Sequence, residues 1–203
     1  MKVALIGASG QAGSRILKEL VVRGHAVTAI ARNPEKIADL SGVTRIKGDA
    51  GDPTALAAIL KGHDAAISSV RFVASDHAAL TEAVKKSGVA RYLVVGGAGS
   101  LLSDSGQLIL ESPGFPDGAR PEATKGLAFL NALRAEKDLN WTFLSPAMRF
   151  IAGERTGTFR LGGDRMIRLE NGESWISFED YAVALVDEME TPAHERRRFT
   201  VGY

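Results

Sequence analysis

The chain has 203 residues, of which 45% are apolar and 24% charged, a globular composition with material for one continuous core. Lys and Arg number 25 against 24 Asp and Glu, and no basic stripe follows the sequence, so nucleic acid is not an expected partner. The absence of cysteine excludes disulfides, thiolate nucleophiles and cysteine zinc sites.

Lys2 to Ile6 reads as the first strand, and its apolar run stops at Gly7, short of the roughly 7 to 15 residues of a secretory signal core. The uncharged stretch after Arg91 is Gly-rich and shorter than the roughly 20 residues that span a bilayer, so the expectation is a cytoplasmic protein without membrane contact. Ile16, Leu17, Leu20 and Val21 then form one helical stripe in Arg15 to Val22, closed by Gly24. Next come a strand at Ala26 to Ile30, a short helix opened by Pro34 and a strand at Val43 to Lys47. The cycle repeats with a helix at Pro53 to Leu60 capped by Asp52, a strand at Ala65 to Ser69, a helix at Asp76 to Lys86 and a strand at Arg91 to Val95.

Residues 96–120 break this rhythm with glycines and prolines, and a loop of that length is usually functional. A helix at Pro121 to Glu136 and a strand from Trp141 that closes at Pro146 come after it. Further on, Thr158 to Leu161 and Met166 to Leu169 suggest a small hairpin. Ser177 and Asp180 have capping-box spacing before a helix lined by Tyr181, Leu185 and Met189, and Arg198 to Val201 is the last strand. Strands alternating with helices predict the α/β class: a doubly wound parallel Rossmann sheet of order 3-2-1-4-5-6-7 in one domain over residues 1–203. Residues 147–175 are expected to cover the substrate.

The turn between the first strand and first helix is Gly7-Ala8-Ser9-Gly10-Gln11-Ala12-Gly13. Glycines there permit a tight turn and close backbone approach to a pyrophosphate, while unpaired amides at the helix start face the anion. An NAD-selective site needs a carboxylate about 20 residues further on, at the end of the second strand. Arg32 stands there instead, and its guanidinium suits a 2′-phosphate, so NADPH is expected in preference to NADH; the bland reading of Arg32 is a solvated loop residue.

The even spacing of these three glycines resembles the extended and atypical branches of the short-chain dehydrogenase/reductase superfamily. The whole chain resembles the bacterial NADH-flavin reductases, an NAD(P)H-binding atypical group related to NmrA-like proteins and to flavin/biliverdin-IX-beta reductases. The stretches that carry the likeness are Ile6 to Gly10, Val95 to Ser100, Trp141 to Ala147, Gly153 to Gly157 and Phe178 to Ala182. The resemblance implies that Asp49 and Ala50 border the adenine and that Ser68, Ser69 and Val70 pass under the riboses, although a structural role serves those three equally well. It implies that Gly97 lies against the cofactor and that Ser100 is the active-site serine, which otherwise reads as a loop residue. Pro146 and Ala147 would meet the carboxamide, with Ala147 as donor because proline has no N–H.

Carbonyl-reducing members of the superfamily pair a Tyr with a Lys four residues later, since an alcoholate needs a proton donor. Here Pro121 stands four residues before Lys125, and Tyr92, Tyr181 and Tyr203 all lie elsewhere. Hydride transfer to a conjugated ring, which spreads the incoming charge, needs no such acid, so a flavin such as FMN or a quinone is the expected small-molecule acceptor. Arg149, Phe150 and Arg155 fall where a substrate would be covered: Phe150 to stack on a flat ring and an arginine to pair with a phosphate, against the alternative of core and solvent roles. No residue group has metal-ligand spacing. The competing function is an NmrA-like regulator that senses NADP(H) without turnover, and the sequence leaves monomer and homodimer open.

Overall fold

A computed structural model describes residues 1–203. In chain order its elements are β1 (Lys2–Ile6), α1 (Gln11–Val22), β2 (Ala26–Ala31), β3 (Val43–Lys47), α2 (Pro53–Leu60), β4 (Ala65–Ser68), α3 (His77–Ser87), β5 (Arg91–Val95), α4 (Arg120–Ala135), β6 (Trp141–Pro146), β7 (Arg149–Ile151), β8 (Arg160–Gly162), β9 (Trp175–Ser177), α5 (Phe178–Glu190) and β10 (Arg197–Gly202). The main sheet runs β3-β2-β1-β4-β5-β6-β10-β8. Every pairing in it is parallel except β8 on β10; the expected order 3-2-1-4-5-6 is met, the expected last strand follows as β10, and one antiparallel edge strand is added.

The central strands β4, β5 and β6 are buried along their whole length, as strands covered on both faces must be. One apolar layer holds α1 and α5 against the sheet through Ile16, Leu20, Tyr181 and Leu185. The other packs α2, α3 and α4 through Leu56, Leu80, Phe129 and Leu133. Asp52 caps α2 by accepting the Ala55 amide at 3.0 Å. Ser177 caps α5 by accepting the Asp180 amide at 2.9 Å. The reciprocal half of that capping box is missing, because the Asp180 carboxylate accepts from Thr156, Gly157 and Tyr203 instead.

The hairpin expected between residues 158 and 169 does not form. Arg160–Gly162 extends the main sheet beside β10, while the Met166 amide donates to the Leu102 carbonyl in the long loop after β5. A separate parallel pair, β7 with β9, ties Arg149–Ile151 to Trp175–Ser177. Between them, residues 153–157 lie on α1 and α5 rather than over the carboxyl edge of the sheet: the Gly153 amide donates to Glu179, and Arg155 reaches Glu19. The parts of 147–175 that do border the carboxyl edge are Met148, Arg149 and the turn from Arg168 to Ser174.

Candidate functional site

Parallel strands deliver their carboxyl ends to one edge, where the loops after β1, β2, β4, β5 and β6 gather. Gly7 follows β1 with φ at +86°, and a Cβ there would lie 2.2 Å from the Ser69 carbonyl oxygen, so only glycine lets this turn pass the end of β4. A Cβ on Gly13 would likewise lie 2.2 Å from the Gly7 carbonyl oxygen. Gly10 is less confined, with its nearest neighbour at 3.3 Å, and its bareness keeps the outer side of the turn open. The amides of Ser9, Gln11, Ala12 and Gly13 have no acceptor in the chain, Gly10 caps α1 without a side chain, and the first helical turn carries no carboxylate. Bare donors at the positive end of a helix, beside a stripped glycine, fit a diphosphate.

On one side of this turn a hollow of about 200 Å³ brings Arg32, Asp49, Ala50, Ser69 and Val70 together with Gly7 and Gly10. Arg32 is exposed and has no protein partner, so its guanidinium is free for an anion. Asp49 holds its own loop by accepting the Gly51 amide at 2.9 Å. The hollow contains a second cation that the motifs do not single out: Arg71, whose Nε lies 3.8 Å from Glu122. Its one signal in the sequence is its place three residues past the end of β4. Ser68 does not line the hollow, because its hydroxyl is buried 3.0 Å from the Tyr92 hydroxyl.

On the other side, Gly97 and Ser100 face a cavity of about 180 Å³ walled by Phe72, Phe115, Leu127 and Met148. Ser100 is buried and its hydroxyl donates to the Gly97 carbonyl at 3.3 Å, closing the turn after β5. Glu122 also borders this cavity, but its two oxygens accept the amides of Phe72 and Val73 at 2.8 and 3.0 Å. Gly126 makes room for the Phe72 ring, which would stand 2.8 Å from a Cβ there. Phe115 and Met148 also wall an outer hollow of about 290 Å³ that ends at Arg149, Arg168 and Glu173.

Five residues expected at the site are placed elsewhere by the fold. Ala147 cannot offer its amide to a ligand, because β10 lies beside β6 and the amide donates to the Val201 carbonyl at 3.0 Å; Pro146 is likewise within the strand. Phe150 packs inward, its ring 4.5 Å from that of Phe178 and 4.6 Å from that of Tyr181. Arg155 is committed to Glu19 through two hydrogen bonds of 2.8 Å. Ser68, bonded to Tyr92, belongs to the core.

All three tyrosines are engaged elsewhere. Burial pushes the Tyr92 and Tyr181 phenols up in pKa, and Tyr181 donates to the Leu144 carbonyl at 2.7 Å. Tyr203 is bonded to Ser177 and Asp180. Among the four histidines, none lines the cavities beside Ser100.

The profile of a family described as NAD(P)H-binding matches residues 7–192. The uncharacterized protein YwnB of Bacillus subtilis is 40% identical, with 99% of this chain and 98% of that protein covered. A solved structure of a candidate epimerase from Bacteroides thetaiotaomicron is 41% identical, covers 100% of this chain and 96% of its own, and superposes with a TM-score of 0.95. SP1627, a candidate NADH-flavin reductase from Streptococcus pneumoniae, is 39% identical over 100% of this chain and 99% of its own, with a TM-score of 0.86.

Proposed function

The chain belongs to the NAD(P)H-binding family, and on that premise we propose that it is an oxidoreductase passing hydride from NADPH to a flavin, a quinone or a similar conjugated acceptor. The observation that carries this reading is the chemistry of the cavity beside Ser100. Its walls are apolar, its carboxylate is occupied by two backbone amides, and no phenol or imidazole faces it.

The reduced nicotinamide, when bound, supplies a hydride, and with one solvent proton the balance runs from NADPH and FMN to NADP+ and reduced FMN. The chain's own part is positioning. The free amides of the Gly7–Gly13 turn hold the diphosphate, and Arg32 with Arg71 supplies the positive charge for a 2′-phosphate. Ser100, fixed by its own turn, orients a polar edge of the nicotinamide or the acceptor, while Phe72, Phe115, Leu127 and Met148 exclude water and flank a flat ring. A ring that delocalises the new charge asks for no acid from the protein.

The name of the Streptococcus pneumoniae relative agrees with this reading. Epimerisation, the activity in the name of the Bacteroides thetaiotaomicron relative, calls for an acid and a base facing the substrate, and Pro121 occupies the place of the tyrosine. A cavity next to Ser100 also favours turnover over cofactor sensing alone. The proposal extends to a cytoplasmic setting; the fold has no helix long and apolar enough to cross a membrane. Purified protein with NADPH and a panel of FMN, riboflavin and menadione is expected to consume NADPH well above the uncatalysed rate. No turnover with any acceptor removes the proposal.

A further inference from the structure

The outer hollow is lined by two guanidinium groups that the fold engages only in part. Arg149 makes no hydrogen bond through its side chain, and its one ion pair, with Glu173 at 3.7 Å, joins two half-exposed groups and is therefore weak. Arg168 spends one donor on the Gly172 carbonyl at 2.9 Å, and its remaining N–H groups are unpaired. Glu173 is the only carboxylate lining this hollow, so two positive charges face one negative charge.

Hydrogen bonds fix the backbone from which both side chains extend. Arg149 lies opposite Trp175 in the β7–β9 pair, and its amide donates to the Ser174 carbonyl at 2.9 Å. Arg168 opens a turn closed by the Leu169 amide on the Glu173 carbonyl at 2.7 Å and by the Gly172 amide on the Leu169 carbonyl at 2.9 Å. The inner and outer hollows meet at Phe115 and Met148, which wall both. A flat ring seated beside Ser100 would thus have the two exposed guanidinium groups of the neighbouring hollow within the reach of a tail.

We infer that Arg149 and Arg168 form an anion subsite for the acceptor, so that the preferred acceptors are conjugated rings bearing a phosphate or sulfonate tail. The inference rests on the reductase reading for the inner cavity but concerns the outer one. Charge-assisted, forked hydrogen bonds from two guanidiniums recognise such a group, and a neutral analogue leaves them unsatisfied. Glu173 then acts as the gate charge that an incoming anion displaces from Arg149.

The test pairs each charged acceptor with a neutral twin: FMN with riboflavin, and naphthoquinone-2-sulfonate with menadione. Each pair is compared for NADPH oxidation, and the flavins also for binding by fluorescence quenching with NADP+ filling the glycine turn. The unaltered chain is expected to favour FMN over riboflavin by about tenfold or more in kcat/KM and in affinity. The double variant Arg149→Ala, Arg168→Ala should bring that ratio down by about tenfold, with the corresponding Lys variants between the two. A sulfonate that gains the same advantage over menadione shows that the tail charge, and not the ribityl chain, is read. A ratio near one in the unaltered chain, or one that survives the double variant, overturns the subsite even where hydride transfer proceeds. Loss of FMN binding in the double variant, without turnover in either protein, upholds the subsite and removes the reductase reading.

Discussion

The Tyr181 hydroxyl donates to the Leu144 carbonyl at 2.7 Å, and the same carbonyl accepts the Gly96 amide at 2.8 Å. A phenol from α5 is thus anchored at the end of β6, one layer beneath the loops that form the site. Tyr181 is fully buried, and its pKa is driven upward by desolvation, so its proton is held by the core and has no path to a ligand. Tyr181→Phe removes one bond from a carbonyl that keeps another, which should cost about 1 kcal/mol in urea unfolding. NADPH oxidation should stay within a few fold of the unaltered chain. A loss of several orders of magnitude in kcat, with the fold intact, would make this phenol the catalytic acid and revive the epimerase-type chemistry.

The glycines of the first turn separate folding from binding. Gly13→Ala drives a methyl group into the Gly7 carbonyl at 2.2 Å, a backbone atom that cannot step aside, and should cost on the order of 3 kcal/mol of stability along with nucleotide affinity. Gly10→Ala meets only a 3.3 Å contact and should shift stability by less than about 1 kcal/mol. Its methyl group nevertheless projects where the diphosphate approaches, so NADPH affinity by calorimetry should fall by about tenfold. Equal affinity in Gly10→Ala would place the diphosphate elsewhere.

The first six strands are legible in the sequence because each repeats a local pattern: a short apolar run, a turn and an amphipathic stretch, complete within about 30 residues. The chain beyond Pro146 is harder to read, because its structure depends on distant partners. Three-residue strands such as β7, β8 and β9 carry too little periodicity to announce themselves, and each is defined by the strand it meets. Ala147 looks like a free donor until β10, more than fifty residues later, is laid beside it. Phe150 has the type and position of a stacking residue, yet Phe178 and Tyr181 arrive to claim its ring. Glu122 shows the converse: nothing local marks a carboxylate that will hold the β4 loop from fifty residues away.

Cofactor choice turns on Arg32. Its guanidinium is exposed, unpaired and at the rim of the hollow that also contains Asp49, with Arg71 lining the same hollow. Arg32→Ala should weaken NADPH binding by about ten- to a hundredfold and NADH by less than about threefold, since only the former carries the 2′-phosphate. Arg71→Ala should produce a smaller loss in the same direction, because Glu122 shares its charge. Parallel losses for both nucleotides in Arg32→Ala would exclude this residue from the phosphate site.

Glu19 and Arg155 predict a pH dependence of stability. The Glu19 carboxylate is buried on α1 and accepts from Arg155 and Arg23, and the Arg155 hydrogen bonds are foremost in holding its pKa below the usual carboxylate value of 4.5. A carboxylate with a depressed folded-state pKa stabilises fully above its unfolded value, and that stabilisation disappears as pH falls through the lower folded value. Stability should therefore be level in this respect above about pH 5 and decline on further acidification. Arg155 is half exposed, so solvent screens its share, and Glu19→Gln should cost about 1–2 kcal/mol at pH 7. The same variant should lose less than the unaltered chain between about pH 5 and pH 3, narrowing the gap between the two urea midpoints. A gap that stays constant across that range would show that Glu19 has the same pKa in the folded and unfolded chain, so that Arg155 and Arg23 do not favour its charged form.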